Sequence, residues 1–99
     1  MSLPVRLLPE ARAEFDAAAD WYEQQQAGLG VTFVSRVREV LNRIAVTPRL
    51  HAAVYQDVRK AVVKQFPYVV LYREEPGEVV VIAVFHTAQH PSIWQSRVP

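Results

Sequence analysis

The first half of the chain carries two stretches of apolar residues at helical spacing. The first stretch runs from about Pro9 to Gln26, and its apolar face holds Ala11, Phe15, Ala18 and Tyr22. The second runs from about Leu29 to Val46, and its apolar face holds Phe33, Val37, Val40, Leu41 and Ile44. Gly28 and Gly30 interrupt the spacing between them, and glycine readily ends a helix. Because the connection is short, the pattern predicts two antiparallel neighbouring helices.

The second half of the chain reads as short strands. Thr47-Pro48 stops the second helix, since the residue before a proline disfavours the helical conformation. The strand candidates are Val5–Leu8 before the first helix, and then Val54–Tyr55, Val58–Gln65, Tyr68–Arg73 and Val79–Phe85. The last two flank a charged turn that contains Pro76-Gly77, which is typical of a β-hairpin. Because both are almost continuously apolar, they need cover on at least one face, and the two helices can provide it.

These elements predict an α+β fold. It consists of a short N-terminal strand, an antiparallel helical hairpin packed on an antiparallel β-sheet, and a short C-terminal helical turn that begins at Pro91. At 99 residues, of which 51% are hydrophobic and 21% charged, we expect a single domain over residues 1–99.

Composition removes several classes of site. The chain has no cysteine, which excludes disulfides, thiolate catalysis and cysteine-ligated zinc. No two histidines lie at i, i+4 on a predicted helix face, and no nearby carboxylate completes a set, so we predict no metal. No cofactor is predicted either. The sequence has no signal peptide and no apolar run of the ~20 residues that cross a bilayer, so we expect a cytoplasmic protein without a membrane partner.

The net charge is +1, but the charges are unevenly distributed. Five acids and one base lie between Glu10 and Glu23, whereas seven bases and two acids lie between Arg36 and Lys64. A basic segment can meet phosphate or an acidic peptide, or the two segments are solvated helix faces that attract one another. The first alternative predicts an acidic, amphipathic partner. Arg36, Arg43, Lys64, Tyr68 and Tyr72 are then candidates for contacts with this partner or with a target.

The most informative chemistry lies at the end of the last strand, where Val79–Phe85 delivers His86. A metal-independent ribonuclease needs a base, an acid and cations. If the strands are adjacent, Arg59, Tyr68 and Tyr72 could converge on His86, with His90 nearby.

Each of these candidates also has a plainer interpretation. Strand alternation puts His86 on the face of Val84 and Ile82, as a histidine at the edge of the core. His90 is a solvated loop histidine in this view, and Arg59 and Lys64 are surface charges. The two tyrosines then pack beneath a helix.

Three segments together resemble the RelE/ParE superfamily of toxins from type II toxin–antitoxin modules. They are ADWYEQQQAGLGVTF at 19–33, VRKAVVKQFPYVVLYREEPGEVVVIAVFHTAQHP at 58–91 and IWQSR at 93–97. The order of the Trp-Tyr pair, the Phe-Pro-Tyr strand opening and the Ala-Val-x-His strand end is closer to the ParE-like branch. The resemblance implies a cognate antitoxin that wraps the toxin and neutralises it in a hetero-oligomer, and it implies a role in plasmid stabilisation.

The two branches of the superfamily imply different activities. ParE-like members bind DNA gyrase, whereas RelE-like members cut mRNA on the ribosome. The loop Thr87–His90 carries few cations, and Trp94 suits a protein contact, although it could equally close the end of the sheet as a core residue. We therefore predict a toxin that binds a protein target such as gyrase, with Trp94 and Arg97 in the contact. The alternatives are a ribosome-dependent endoribonuclease and an inactive antitoxin-binding scaffold.

Overall fold

The fold is an α-helical hairpin on one face of a five-stranded sheet, in a computed structural model that describes residues 2–99. The elements are β1 Val5–Leu7, α1 Pro9–Gln25, α2 Leu29–Val46, β2 Ala53–Tyr55, β3 Val58–Val62, β4 Tyr68–Glu75, β5 Glu78–His86 and α3 Ser92–Gln95. The strand order is β1-β5-β4-β3-β2. The predicted α+β class, the helical hairpin and the C-terminal helical turn are confirmed.

The sheet differs from the prediction at two places. All neighbouring strands pair antiparallel except β1, which pairs parallel with β5. β3 ends at Val62 rather than at Gln65. Gln65 takes a φ of 77°, which a strand cannot accommodate, and Pro67 has no N–H for a ladder. The chain therefore turns between β3 and β4.

The connection between the helices is organised by Glu23. Its carboxylate accepts hydrogen bonds from the backbone N–H groups of Gly28 at 2.8 Å and Gly30 at 2.9 Å, which satisfies donors at the start of α2. Gly28 takes a φ of 89°. Gly30 lies inside α2, where an added Cβ would come 2.5 Å from the Ala19 carbonyl oxygen. Its role is therefore close helix packing rather than release of the chain into a turn.

The sheet separates two apolar clusters. The larger lies between the sheet and the hairpin and includes Phe15, Phe33, Val37 and Tyr72. The smaller lies on the opposite face, here called the far face, and includes Leu71, Phe85 and Trp94. The far face has no cover from α1 or α2, so the C-terminal segment with α3 provides part of it.

A β-bulge in β5 changes which residues face the helices. Leu71 pairs with Ala83 but Tyr72 pairs with Val81, so Ile82 is an extra residue on β5. Val84 consequently packs in the cluster beneath the helices, whereas Ile82 packs in the far-face cluster. The prediction that simple alternation puts both on one face was wrong, because the bulge shifts the alternation by one residue.

Within residues 2–99, no helix is long and apolar enough to cross a membrane.

Candidate functional site

His86 ends β5 beside an aromatic cavity. It lies directly opposite Tyr68 in the sheet, and the two rings meet edge to face with 5.1 Å between centroids. Trp21, Tyr22 and Pro67 line the same cavity, which has a volume of about 550 Å³. The predicted proximity of Tyr68 and His86 is therefore observed.

The imidazole of His86 has a defined orientation. Its Nδ1 accepts a hydrogen bond of 3.0 Å from the backbone N–H of Ala88. Because an accepting ring nitrogen carries no proton, the neutral ring holds its proton on Nε2. His86, which lines the cavity, therefore carries its N–H donor on Nε2.

Burial keeps the hydroxyl groups around the cavity protonated. It raises the pKa of Tyr22, and it raises the pKa of Tyr68, to which the neighbouring Tyr22 and the negative charge of Glu14 add. A general base at neutral pH needs a lowered phenol pKa instead. Tyr68 is accordingly suited to donate a hydrogen bond rather than to abstract a proton.

Arg59 and Tyr72 do not reach this cavity. Arg59 pairs with Tyr72, four positions along β4 from Tyr68, which corresponds to roughly 13 Å at the rise of a strand. The expected convergence of Arg59 and Tyr72 on His86 is thus not observed, although the three strands are adjacent. The reason is the register: Arg59 lies near the other end of the β3–β4 ladder.

Both residues instead hold the loop that follows α2. The Arg59 guanidinium donates to the backbone carbonyls of Arg49 and His51. Tyr72 is 0% exposed, and its hydroxyl donates a 2.7 Å hydrogen bond to the Pro48 carbonyl. The Tyr72 side chain is consequently buried against this loop rather than exposed on the surface.

The remaining candidates lie apart from one another. His90 is exposed, and its Nδ1 lies 2.9 Å from the Ser92 hydroxyl and accepts from the Ser92 N–H at 3.1 Å, at the start of α3. Arg36 contacts Glu39 and Gln65 from α2. Lys64 is exposed after β3, and Arg43 is exposed on α2. Burial of the His51 ring, and secondarily the charge of Arg43, lower the pKa of His51. Among residues 2–99, no group of three acidic or histidine side chains could hold a metal ion.

Trp94 belongs to a second groove, on the far face. The side chain is 5% exposed, and its ring meets Tyr55 edge to face at 5.6 Å. The burial favours the interpretation of Trp94 as a core residue that closes the sheet. Even so, Trp94 lines a groove of about 290 Å³ together with Val69, Phe85 and Lys60. This far-face groove is apolar, with a cation beside it.

Arg97 takes part in a contact that sequence reasoning missed. Its guanidinium donates to both carboxylate oxygens of Glu14, at 2.9 and 3.0 Å, and to the Ile82 carbonyl at 3.1 Å. The Glu14 carboxylate also accepts the N–H of Val84 at 3.2 Å. We call this arrangement the edge clamp. No local sequence signal marks it, because the clamp depends on the β5 bulge.

The chain is similar to known toxins of type II toxin–antitoxin systems. A family model described as the ParE toxin of the type II toxin–antitoxin system, parDE, matches residues 5–91. A chain of the solved chromosomal ParDE TA system from P. aeruginosa has a TM-score of 0.62 and 13% sequence identity, over 86% of this chain and 96% of that chain. That identity supports the fold alone. None of the curated protein sequences matches the chain. From the family match, this chain belongs to the ParE toxin family of type II toxin–antitoxin systems.

Proposed function

We propose that this ParE-family toxin inhibits growth in the cytoplasm by binding a protein target, DNA gyrase, and that a cognate antitoxin neutralises it. The gyrase target comes from the resemblance to ParE-like toxins. The growth-inhibiting activity requires no catalytic step in this proposal. The proposal rests mainly on one observation: the polar groups that a ribonuclease would have to bring together lie far apart in this fold.

The separation is large compared with the reach of a side chain. A phosphodiester transition state needs its base, acid and cations within hydrogen-bond distance of one phosphate. Arg59 lies roughly 13 Å along the sheet from the His86 end. Arg97 is held by Glu14, and Tyr68 has a raised pKa. The cavity at His86 is therefore better suited to contact than to catalysis.

One observation favours a second function, that of a ribosome-dependent mRNA endoribonuclease. His86 and Tyr68 are paired at the end of the sheet, and each can donate a hydrogen bond to a bound group. RNA cleavage would then depend on cations that the ribosome supplies. A third alternative, an inactive scaffold that only binds the antitoxin, predicts no effect on growth.

The far-face groove is the proposed site for the antitoxin. Its lining is mostly apolar, and Lys60 lies beside it. Val54 and Val62 are exposed near it, at 47% and 62%. Such a surface fits an amphipathic segment whose acidic side chains approach Lys60 while its apolar side chains enter the groove. The expected product is a hetero-oligomer of toxin and antitoxin.

The test is to induce the chain alone in a bacterial host and to follow two readouts in the same culture. One readout maps mRNA 5′ ends, and the other measures plasmid supercoiling. The proposal predicts altered supercoiling or DNA breaks with intact mRNA, and rescue by the antitoxin. New mRNA ends at codon positions that vanish with His86→Ala would establish the ribonuclease. Normal growth with neither effect would support the inactive scaffold that only binds the antitoxin.

A further inference from the structure

The segment 47–52 joins α2 to β2 and is here called the α2 loop. None of its residues is buried, and the apolar side chain of Leu50 is 68% exposed. Its backbone carbonyls accept hydrogen bonds from two side chains of the sheet, Arg59 and Tyr72. The loop is therefore held closed against the sheet mainly by polar contacts, which are easier to exchange for water than apolar packing.

The imidazole of His51 lies in this loop with one ring nitrogen unpaired. The ring meets Tyr72 edge to face, with 6.2 Å between centroids. Its Nε2 is buried and has no hydrogen-bond partner among residues 2–99. A neutral imidazole can leave that nitrogen without a proton, whereas an imidazolium carries an N–H on both nitrogens. Because a charged donor that is buried without an acceptor is costly, the closed loop accommodates the neutral ring and not the protonated one.

The charged groups that face His51 from neighbouring elements are cations. α2 contributes Arg43, whose charge acts on the ring. β3 contributes Arg59, whose guanidinium is bonded to the His51 carbonyl. β4 contributes Tyr72, and burial raises the pKa of its hydroxyl, so this group stays neutral. A proton on His51 would thus add a positive charge beside two others.

No free carboxylate of the loop offsets these cations. Among residues 2–99, the carboxylate that is hydrogen-bonded to the loop belongs to Glu74, and it is already paired with Arg49 at 2.9 Å. Burial, and secondarily the charge of Arg43, lower the pKa of His51 from its ordinary value of 6.5. An open loop restores the ordinary value, because the ring then reaches water. Below pH 6.5 the open form therefore binds a proton that the closed form does not, and acid favours the open form.

We infer that the α2 loop is a pH-operated flap, which is closed while His51 is neutral and opens when His51 takes up a proton. Opening breaks the hydrogen bonds from Tyr72 and Arg59 to the loop carbonyls. It exposes the Tyr72 hydroxyl and frees the Arg59 guanidinium. The inference does not depend on the identity of the toxin's target.

A pH titration of the full chain, followed by NMR, tests the flap. The ring signals of His51 report its protonation, and the hydroxyl proton of Tyr72 reports the loop, since it exchanges slowly with water only while it is bonded and buried. Its protection is taken relative to free tyrosine at the same pH. We expect a His51 midpoint below pH 6.5. The protection of Tyr72 should fall about tenfold between about pH 7.5 and about pH 5. Constant protection while His51 titrates, or a His51 midpoint at or above pH 6.5, overturns the inference.

His51→Phe removes the titrating group while a ring still meets Tyr72. We expect the protection of Tyr72 in this variant to be the same at both pH values. His90→Phe is the matched control, because His90 is exposed, and it should keep the full loss of protection in acid. The indole signal of Trp94, on the far face, verifies the fold of each variant. An undiminished loss of protection in His51→Phe contradicts the flap.

A second pair of variants leaves the ring of His51 in place. Arg43→Gln removes the α2 cation that acts on His51, so the His51 midpoint should rise and the loss of Tyr72 protection in acid should become smaller. Arg38→Gln removes an exposed cation elsewhere on the same helix and should change neither quantity. Equal effects of the two variants would reflect the net charge of the chain and would contradict the inference.

Discussion

Glu14 and Arg97 are 83 positions apart in the chain and join through two hydrogen bonds of 2.9 and 3.0 Å. The pair connects α1 to the C-terminal segment across the bulge of β5. Its carboxylate and guanidinium also bind the Val84 N–H and the Ile82 carbonyl, as the backbone of a neighbouring strand would. The clamp therefore protects an edge that would otherwise offer unpaired backbone groups.

Removing the clamp should destabilise the fold. Arg97 and Glu14 side chains are 14% and 23% exposed, so solvent replaces the lost contacts incompletely. We expect Arg97→Ala to lower the free energy of unfolding by about 2 kcal/mol. Arg97→Lys should recover only part of that loss, because lysine keeps the charge but cannot form the paired contact. Urea unfolding measures both changes. Arg12→Ala is the control, since its 3.9 Å bridge to Asp16 is exposed and is expected to contribute about 0–1 kcal/mol.

The clamp also bears on the prediction that Arg97 contacts the target. A loss of toxicity in Arg97→Ala that follows the loss of folded protein would reflect stability. Equal stability of Arg97→Ala and Arg12→Ala, together with lost toxicity, would contradict the clamp and support a direct contact.

Gly30→Ala should disrupt the helical hairpin. The new Cβ would lie 2.5 Å from the Ala19 carbonyl oxygen and 2.8 Å from the Glu23 Cβ, so the two helices would have to separate. We expect a loss of about 2–3 kcal/mol in the free energy of unfolding, measured by urea denaturation. Gly77→Ala is the matched control: nothing lies within 4 Å of its Cβ, and the cost comes from a φ of 76° alone, about 1–2 kcal/mol. A smaller loss at Gly30 than at Gly77 would contradict the close packing.

Glu23 should make the hairpin sensitive to acid. Hydrogen bonds from the Gly28 and Gly30 N–H groups lower the pKa of its carboxyl in the folded chain. A depressed carboxyl pKa contributes stability that is present above the ordinary pKa of 4.5 and is lost as the pH falls through the folded-state pKa. Glu23→Gln should therefore be less stable at neutral pH and should lose less stability than the unmodified chain below pH 4.5.

The urea midpoint at neutral and at acid pH measures this dependence on Glu23. Asp20→Asn, on the same helix, controls for the removal of a negative charge from α1. If both variants changed the acid sensitivity equally, the capping role of Glu23 would be excluded.

Tyr72→Phe should lower the stability of the fold without changing toxicity. The substitution removes the 2.7 Å hydrogen bond to the Pro48 carbonyl while the ring remains packed. We expect a loss of about 1 kcal/mol in the free energy of unfolding, measured by urea denaturation, with toxicity unchanged at equal amounts of folded protein. Loss of toxicity without loss of stability would indicate that Tyr72 has a functional role.

Helical periodicity predicted the hairpin because its signal is local. α2 begins at Leu29 and ends at Val46 as predicted, since Gly28 and Thr47-Pro48 mark its ends within the sequence. The β4–β5 hairpin was predicted for the same reason, from two apolar runs around Pro76-Gly77. Its turn is shorter than expected, because β4 continues to Glu75 and β5 begins at Glu78.

The candidate site was predicted less well, because it depends on register and on the bulge. The turn register alone, with Glu75 opposite Glu78, would place Phe85 opposite Tyr68. The extra residue Ile82 brings His86 there instead. The distance of Arg59 from His86 depends on the β3–β4 register. The Phe66-Pro67 segment between these strands does not fix that register. The edge clamp requires the extra residue Ile82 in β5, and no glycine or proline marks that position.

The proposed mode of action of the toxin is binding to a protein rather than cleavage of RNA. Its most direct test mixes the purified chain with purified DNA gyrase and plasmid, without RNA or ribosomes, and measures supercoiling. We predict inhibition that increases with toxin concentration and disappears when the antitoxin is added. Unchanged gyrase activity, together with cleavage of ribosome-bound mRNA by the same preparation, would contradict the account.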